Sequence, residues 1–149
     1  LSGITYFETC LDSQSPLDLI ILMLGTNDLK ARFGADPYTI AFGFGRYLNA
    51  VKTVPMAGNR PEVLLASPLL IDPSYKDVPL FFDMFGDGAV ERSEKFAEAY
   101  EAFAKENGVH FIDASKYGKA SVRDGVHMEA EYHEKLGKAF AEKVKEILG

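Results

Sequence analysis

Three short, unbroken apolar runs constrain this chain more than any other feature: Leu19–Leu24, Val63–Ala66 and Val109–Ile112. None alternates between apolar and polar residues, so each reads as a strand covered on both faces, the condition of a parallel sheet. Helical patterns separate and follow them. The first starts at Asp36-Pro37, an N-cap followed by a residue suited to the first helical position, and carries Ile40, Phe44, Tyr47, Leu48 and Val51 as one stripe. Gly43 and Gly45 each cost that helix about 1 kcal/mol against Ala, so close packing is expected to compensate. A second helix is predicted from about Ala89 to Glu106, with Val90, Ala97, Tyr100 and Ala104 inward and Asn107-Gly108 as its stop. A third runs from about Glu129 to Leu148, with Leu136, Phe140, Val144, Ile147 and Leu148 inward. The alternation gives a parallel α/β sheet with right-handed crossovers. Three strands are few for a sheet covered on both sides, so it reads as short of strands at its N-terminal end.

In such sheets ligands sit beyond the carboxyl ends of the strands. Gly25-Thr26-Asn27-Asp28, Ser67-Pro68, Asp113 and Asp124-Gly125-Val126-His127 all fall on that edge. Asp124, three residues before His127 and joined to it by a glycine turn, can hold one imidazole nitrogen while the other faces a cleft. A carboxylate so placed fixes the tautomer and supports the imidazolium that forms when the ring abstracts a proton. The alternative is a loop aspartate beside a helix-capping histidine. Asn27, at the end of the first apolar run, can donate its amide to a developing oxyanion, a contact typically worth about 3–4 kcal/mol in a transition state. Its alternative is plain turn chemistry, with Asp28 capping a short helical turn over Leu29–Phe33.

Composition excludes several classes. A net charge of −6 gives no basic face for a nucleic acid. The apolar run at Leu19–Leu24 is far too short to span a bilayer. The single Cys10 permits no internal disulfide, reads as a small buried hydrophobe, and favours a reducing, cytoplasmic setting. No His-x₃-His or Cys-rich spacing suggests a metal, Gly86-Asp87-Gly88 is followed by no phosphate-loop Gly-Lys-Ser/Thr, and no cofactor is expected. His110 reads as structural and His133 as solvent-facing. The chain starts at Leu1 without a Met, so a signal peptide is not legible.

The two edge motifs, in this order, resemble the third and fifth sequence blocks of the SGNH (GDSL-type) hydrolase superfamily, Gly-x-Asn-Asp at Gly25–Asp28 and Asp-x-x-His at Asp124–His127. The phrase from Pro16 to Asp28 resembles the arylesterase and acyltransferase branch in particular. The resemblance covers essentially the whole chain. It implies a three-layer α/β/α, flavodoxin-like sandwich with a parallel sheet, a small ester as substrate, Asn27 as oxyanion donor, His127 as base and Asp124 as its orienting acid. Gly25 resembles the family's strand-end glycine, which lies in the same oxyanion block.

The family's first two blocks, with the nucleophile in Gly-Asp-Ser and a second oxyanion donor, have no counterpart here. Residues 1–149 are therefore expected to be the C-terminal part of one such domain, completed by an upstream segment that supplies the first strands and the serine. None of Ser2, Ser13, Ser15, Ser67, Ser74, Ser93, Ser115 and Ser121 stands in a nucleophile turn. Ser67 is the best placed, but Pro68 removes a backbone N–H beside it. The stretch Asp72–Gly88, read as a loop, brings Phe81, Phe82 and Phe85 as pocket candidates, the alternative being ordinary packing or a homo-oligomer contact. The expected function is serine-dependent carboxylic ester hydrolysis or acyl transfer, this segment alone being inactive. The rival is a non-catalytic α/β binding module.

Overall fold

The structure is a computed structural model that describes residues 3–149. Its strands β1 (Leu19–Leu22), β2 (Glu62–Ser67) and β3 (His110–Asp113) form one parallel sheet in that order. Leu22 pairs with Leu65, and Ser67 with Asp113, so the carboxyl ends of all three strands finish on one edge. β2 is covered on both faces, as its unbroken apolar run requires. Val63 and Leu65 enter the main core with Phe44, Leu48, Phe96 and Tyr100. Leu64 and Ala66 turn the other way, with Ile112, towards Ala139, Phe140 and Ile147.

One layer is built from α1 (Gly3–Gln14), α2 (Pro37–Gly43), α3 (Gly45–Thr53) and α6 (Phe96–Asn107), and the other from α7 (Ala130–Leu148). This is the expected three-layer α/β/α arrangement. α7 packs over β2 and β3 in a cluster that Leu19 of β1 joins, while Ile21 of β1 stays 41% exposed. The α7 stripe is also narrower than predicted, since Leu148 lies outside it.

The expected helix from Asp36 onward is two. Asp36 does cap α2, accepting from the backbone N–H groups of Tyr38 and Thr39 at 2.8 and 2.9 Å. The chain then tightens at Phe44, whose N–H bonds to Ala41, and α3 restarts at Gly45. A Cβ on Gly43 or Gly45 would meet nothing within 4 Å, so close packing does not explain these glycines. Their low helix propensity instead falls at the break. Residues 3–14, unassigned from the sequence, form α1 through Ile4, Phe7 and Leu11, and Cys10 on this helix is only half-buried.

The second predicted helix is also broken, into α5 (Ala89–Ser93) and α6. Its buried face is set by Phe96, Ala99, Tyr100, Phe103 and Ala104, with Val90 and Ala97 only half-buried. Ser93 explains the break: its hydroxyl accepts from the Ile71 N–H at 2.9 Å and donates to the Val90 carbonyl at 2.7 Å. That ties α5 to the segment leaving β2. The stretch Asp72–Gly88 is likewise not a loop. It holds a 3₁₀ turn, Pro73–Asp77, capped by Asp72, and helix α4 (Pro79–Phe85), each with proline at its start.

Ser93→Ala removes the acceptor for the buried Ile71 N–H, and should lower unfolding free energy by about 1–3 kcal/mol in urea denaturation. Ser13→Ala, on the exposed side of α1, should stay within about 0.5 kcal/mol of the parent.

Candidate active site

The carboxyl end of β1 turns on Gly25, whose φ of +126° is rarely open to an L side chain. A Cβ there would strike the Tyr100 hydroxyl and crowd Ile40 and Phe96. Tyr100 donates to the Leu24 carbonyl at 2.7 Å and is wedged edge-on between Phe44 and Phe96. Burial, with the negative charge of Asp28, pushes its phenol far up, so it stays a donor. This pillar under the strand end fixes where the following 3₁₀ turn, Thr26–Leu29, begins. Asp28 lies inside that turn, its N–H bonding to the Gly25 carbonyl at 2.9 Å, and so does not cap a turn over Leu29–Phe33. A second turn, Ala31–Phe33, follows separately. Asn27 is exposed on the first turn, and its side-chain amide makes no hydrogen bond among the described residues.

Asp124 and His127 meet. The imidazole Nδ1 lies 2.8 Å from Asp124 Oδ2, while Oδ1 accepts from the backbone N–H groups of Val126 and His127, both at 2.8 Å. Burial pushes the Asp124 carboxyl up, but those two N–H groups, the imidazole hydrogen bond and its charge outweigh it and hold the group below the usual carboxylate range. With Nδ1 engaged, Nε2 is left free on a ring whose side chain is 72% exposed. The edge of one ring meets the face of the other between Phe81 and His127, their centroids 5.7 Å apart. The cap of α7 is Glu129, so His127 caps no helix.

The loop carrying this pair is closed at both ends. The Ser121 N–H donates to the His127 carbonyl at 2.6 Å, and the Ser121 carbonyl accepts from the Gly125 N–H at 2.7 Å. The buried Ser121 hydroxyl donates to Glu129 at 2.5 Å. Gly125, at φ +72°, lies so close to the backbone of Asp72 and Tyr75 that no Cβ fits, and its carbonyl accepts from the Asp72 N–H at 2.9 Å. The loop thus rests on the segment that leaves β2. Nothing in the sequence singled out Ser121, Glu129 or Asp72 for this work. The buried phenol of Tyr100 was a signal, since a buried hydroxyl demands a partner.

The serines do not complete a triad within the described residues. No serine hydroxyl bonds to the His127 ring. Ser67 is fully buried and donates to Asp113 at 3.1 Å, and Ser115 shares the same carboxylate at 2.7 Å. Ser2 lies outside the described residues. Of the three phenylalanines, Phe81 reaches the histidine and Phe82 packs beside Tyr75. Phe85 is 1% exposed and edge-on to Tyr75 in the main core, with no ring contact to His127.

Asp124 ionises more readily folded than unfolded, so it stabilises the fold above its unfolded value near 3.8, and that contribution vanishes as pH falls through the lower folded value. The stability gap between the parent and Asp124→Ala should therefore be flat above about pH 5 and close below about pH 4, read from thermal midpoints across pH.

The family described as GDSL-like lipase/acylhydrolase matches residues 3–135. Among solved structures, Est24, a carbohydrate acetylesterase from Sinorhizobium meliloti, aligns with a TM-score of 0.90 at 38% identity over 99% of this chain and 69% of its own. The native aryl esterase of M. smegmatis aligns with a TM-score of 0.90 at 35% identity, over 99% and 69%. A carbohydrate acetylesterase family member from Sinorhizobium meliloti gives 0.92 at 30%, over 99% and 70%. No curated protein matches. An α/β/α sandwich with a strand-end Gly-x-Asn-Asp turn and a closed Asp-x-x-His loop, matched across most of its length, belongs to the GDSL-like lipase/acylhydrolase family of ester hydrolases.

Proposed function

We propose that this chain supplies the base and one oxyanion donor of a serine-dependent carboxylic ester hydrolase. The observation that carries the reading is the Asp124–His127 pair, with Nδ1 held at 2.8 Å and Nε2 open to solvent. A nucleophile serine comes from polypeptide that precedes Leu1 in the full-length enzyme. Its hydroxyl attacks the ester carbonyl as His127 Nε2 takes the proton. Asp124 keeps the imidazole in the tautomer that presents a lone pair at Nε2 and stabilises the imidazolium. The carbonyl oxygen gains charge in the tetrahedral intermediate, and the unpaired Asn27 amide donates to it together with backbone N–H groups near Gly25. His127 then hands its proton to the departing alcohol. Water, deprotonated by the same ring, releases the carboxylate, and an alcohol in place of water gives acyl transfer.

The names of the neighbours favour small acyl groups, acetyl foremost, on an aryl or sugar alcohol. Phe81, against the His127 ring, offers an apolar wall on that side of the reacting centre. A non-catalytic module is the second reading, favoured by one observation: no serine hydroxyl among the described residues meets the imidazole. Covalent labelling of the full-length protein by a fluorophosphonate separates the two, because only the hydrolase reacts.

In the full-length enzyme, His127→Ala should reduce turnover of an aryl acetate to background. Asn27→Ala should cost about 10²–10³ in kcat. Both variants should keep the parental circular dichroism, since neither side chain is buried. Turnover that survives His127→Ala ends the assignment.

A further inference from the structure

The Asn27 turn and the Asp124–His127 loop make no direct hydrogen bond to each other, yet the proposed chemistry needs them in fixed relation. The link runs through Arg92, on α5. One guanidinium nitrogen, Nη2, donates to the Phe85 carbonyl at 2.7 Å and to the Leu29 carbonyl at 3.3 Å. The other, Nη1, donates to the Asp87 carbonyl at 2.8 Å. Leu29 ends the turn that bears Asn27. Phe85 ends α4, the helix whose Phe81 meets the His127 ring. Beside it, the Gly86 carbonyl accepts from the Tyr75 hydroxyl at 2.7 Å, and Tyr75 is the residue against which Gly125 is pressed. A continuous chain of contacts thus runs from the Asn27 turn through Arg92 and the end of α4 to the histidine loop.

Side-chain packing does not make this joint on its own. A cavity of about 350 Å³ lies between the turns after β1 and the α4–α5 corner, with Leu29, Gly34, Phe85, Gly86 and Arg92 in its wall. Across that gap the guanidinium is the bridge. Its planar fork reaches three carbonyls, that of Leu29 on one side and those of Phe85 and Asp87 on the other, a task one ammonium group cannot copy. We infer that Arg92 is a positioning residue that sets the spacing between the oxyanion donor Asn27 and the base His127. The inference rests on the esterase reading for its catalytic consequence, and on geometry alone for its mechanical one.

The test uses the full-length enzyme with an aryl acetate. Arg92→Ala should lower kcat about 10–100-fold with KM within about threefold, because a misplaced donor is felt in the transition state more than in binding. Arg92→Lys, which keeps the charge without the fork, should fold and fall between the two. Val51→Ala, a core change on α3 away from the site, serves as the control for lost stability and should keep kcat at a similar fall in thermal midpoint. Independently of activity, amide exchange over residues 26–34 should quicken about tenfold in Arg92→Ala while α7 is unchanged. A parental kcat in Arg92→Ala, a kcat loss matched by Val51→Ala, or unaltered exchange over residues 26–34 overturns the inference. If His127→Ala keeps its turnover, the esterase reading fails instead, and the exchange result still decides whether Arg92 holds the turn.

Discussion

Burial of β2 from both faces governs the rest of the structure. Leu64 and Leu65 are 0% and 1% exposed on opposite sides of one strand. Such a strand needs helices above and below it, and connections that return through those layers give parallel neighbours. Parallel strands end together, and so the turns after β1, β2 and β3 share an edge with the loop before α7. The candidate site groups therefore share the edge at which these parallel strands end.

At that edge the supports are backbone and buried polar groups, and the candidate site side chains are exposed. Tyr100 pins the end of β1, and Ser93 and Asp72 pin the segment leaving β2. Ser121 and Glu129 close the histidine loop. Asn27 and His127 project from these supports into solvent, held at the main chain and free at the tip. In the proposed reaction this division fixes where each side chain starts from the main chain while leaving its tip open to a substrate.

The sequence made visible what is local. Continuous apolar runs located all three strands within about two residues, the usual margin for element ends. The Asp-x-x-His spacing could be read because its four residues fold on themselves in one turn. What escaped depends on distant partners. Arg92 and Ser93 divide a helical pattern because they bond carbonyls and an N–H far along the chain. α4 was hidden by prolines that suggest loops, although Pro73 and Pro79 open helical turns. Aromatic content alone gave Phe81 and Phe85 one role. They are four residues apart on one helix face, yet one end of that helix reaches the rim and the other is closed in the core.

The central claim is that Asn27 and His127 act on one reacting carbon. A crystal structure of the full-length enzyme with a phosphonate bound to its nucleophilic serine tests it most directly. The account predicts the Asn27 amide and a backbone N–H within about 3.2 Å of the phosphoryl oxygen, with His127 Nε2 equally close to the serine or leaving-group oxygen. A phosphonate held by other donors, with the Asn27 amide or the His127 ring more than about twice that distance away, would contradict it.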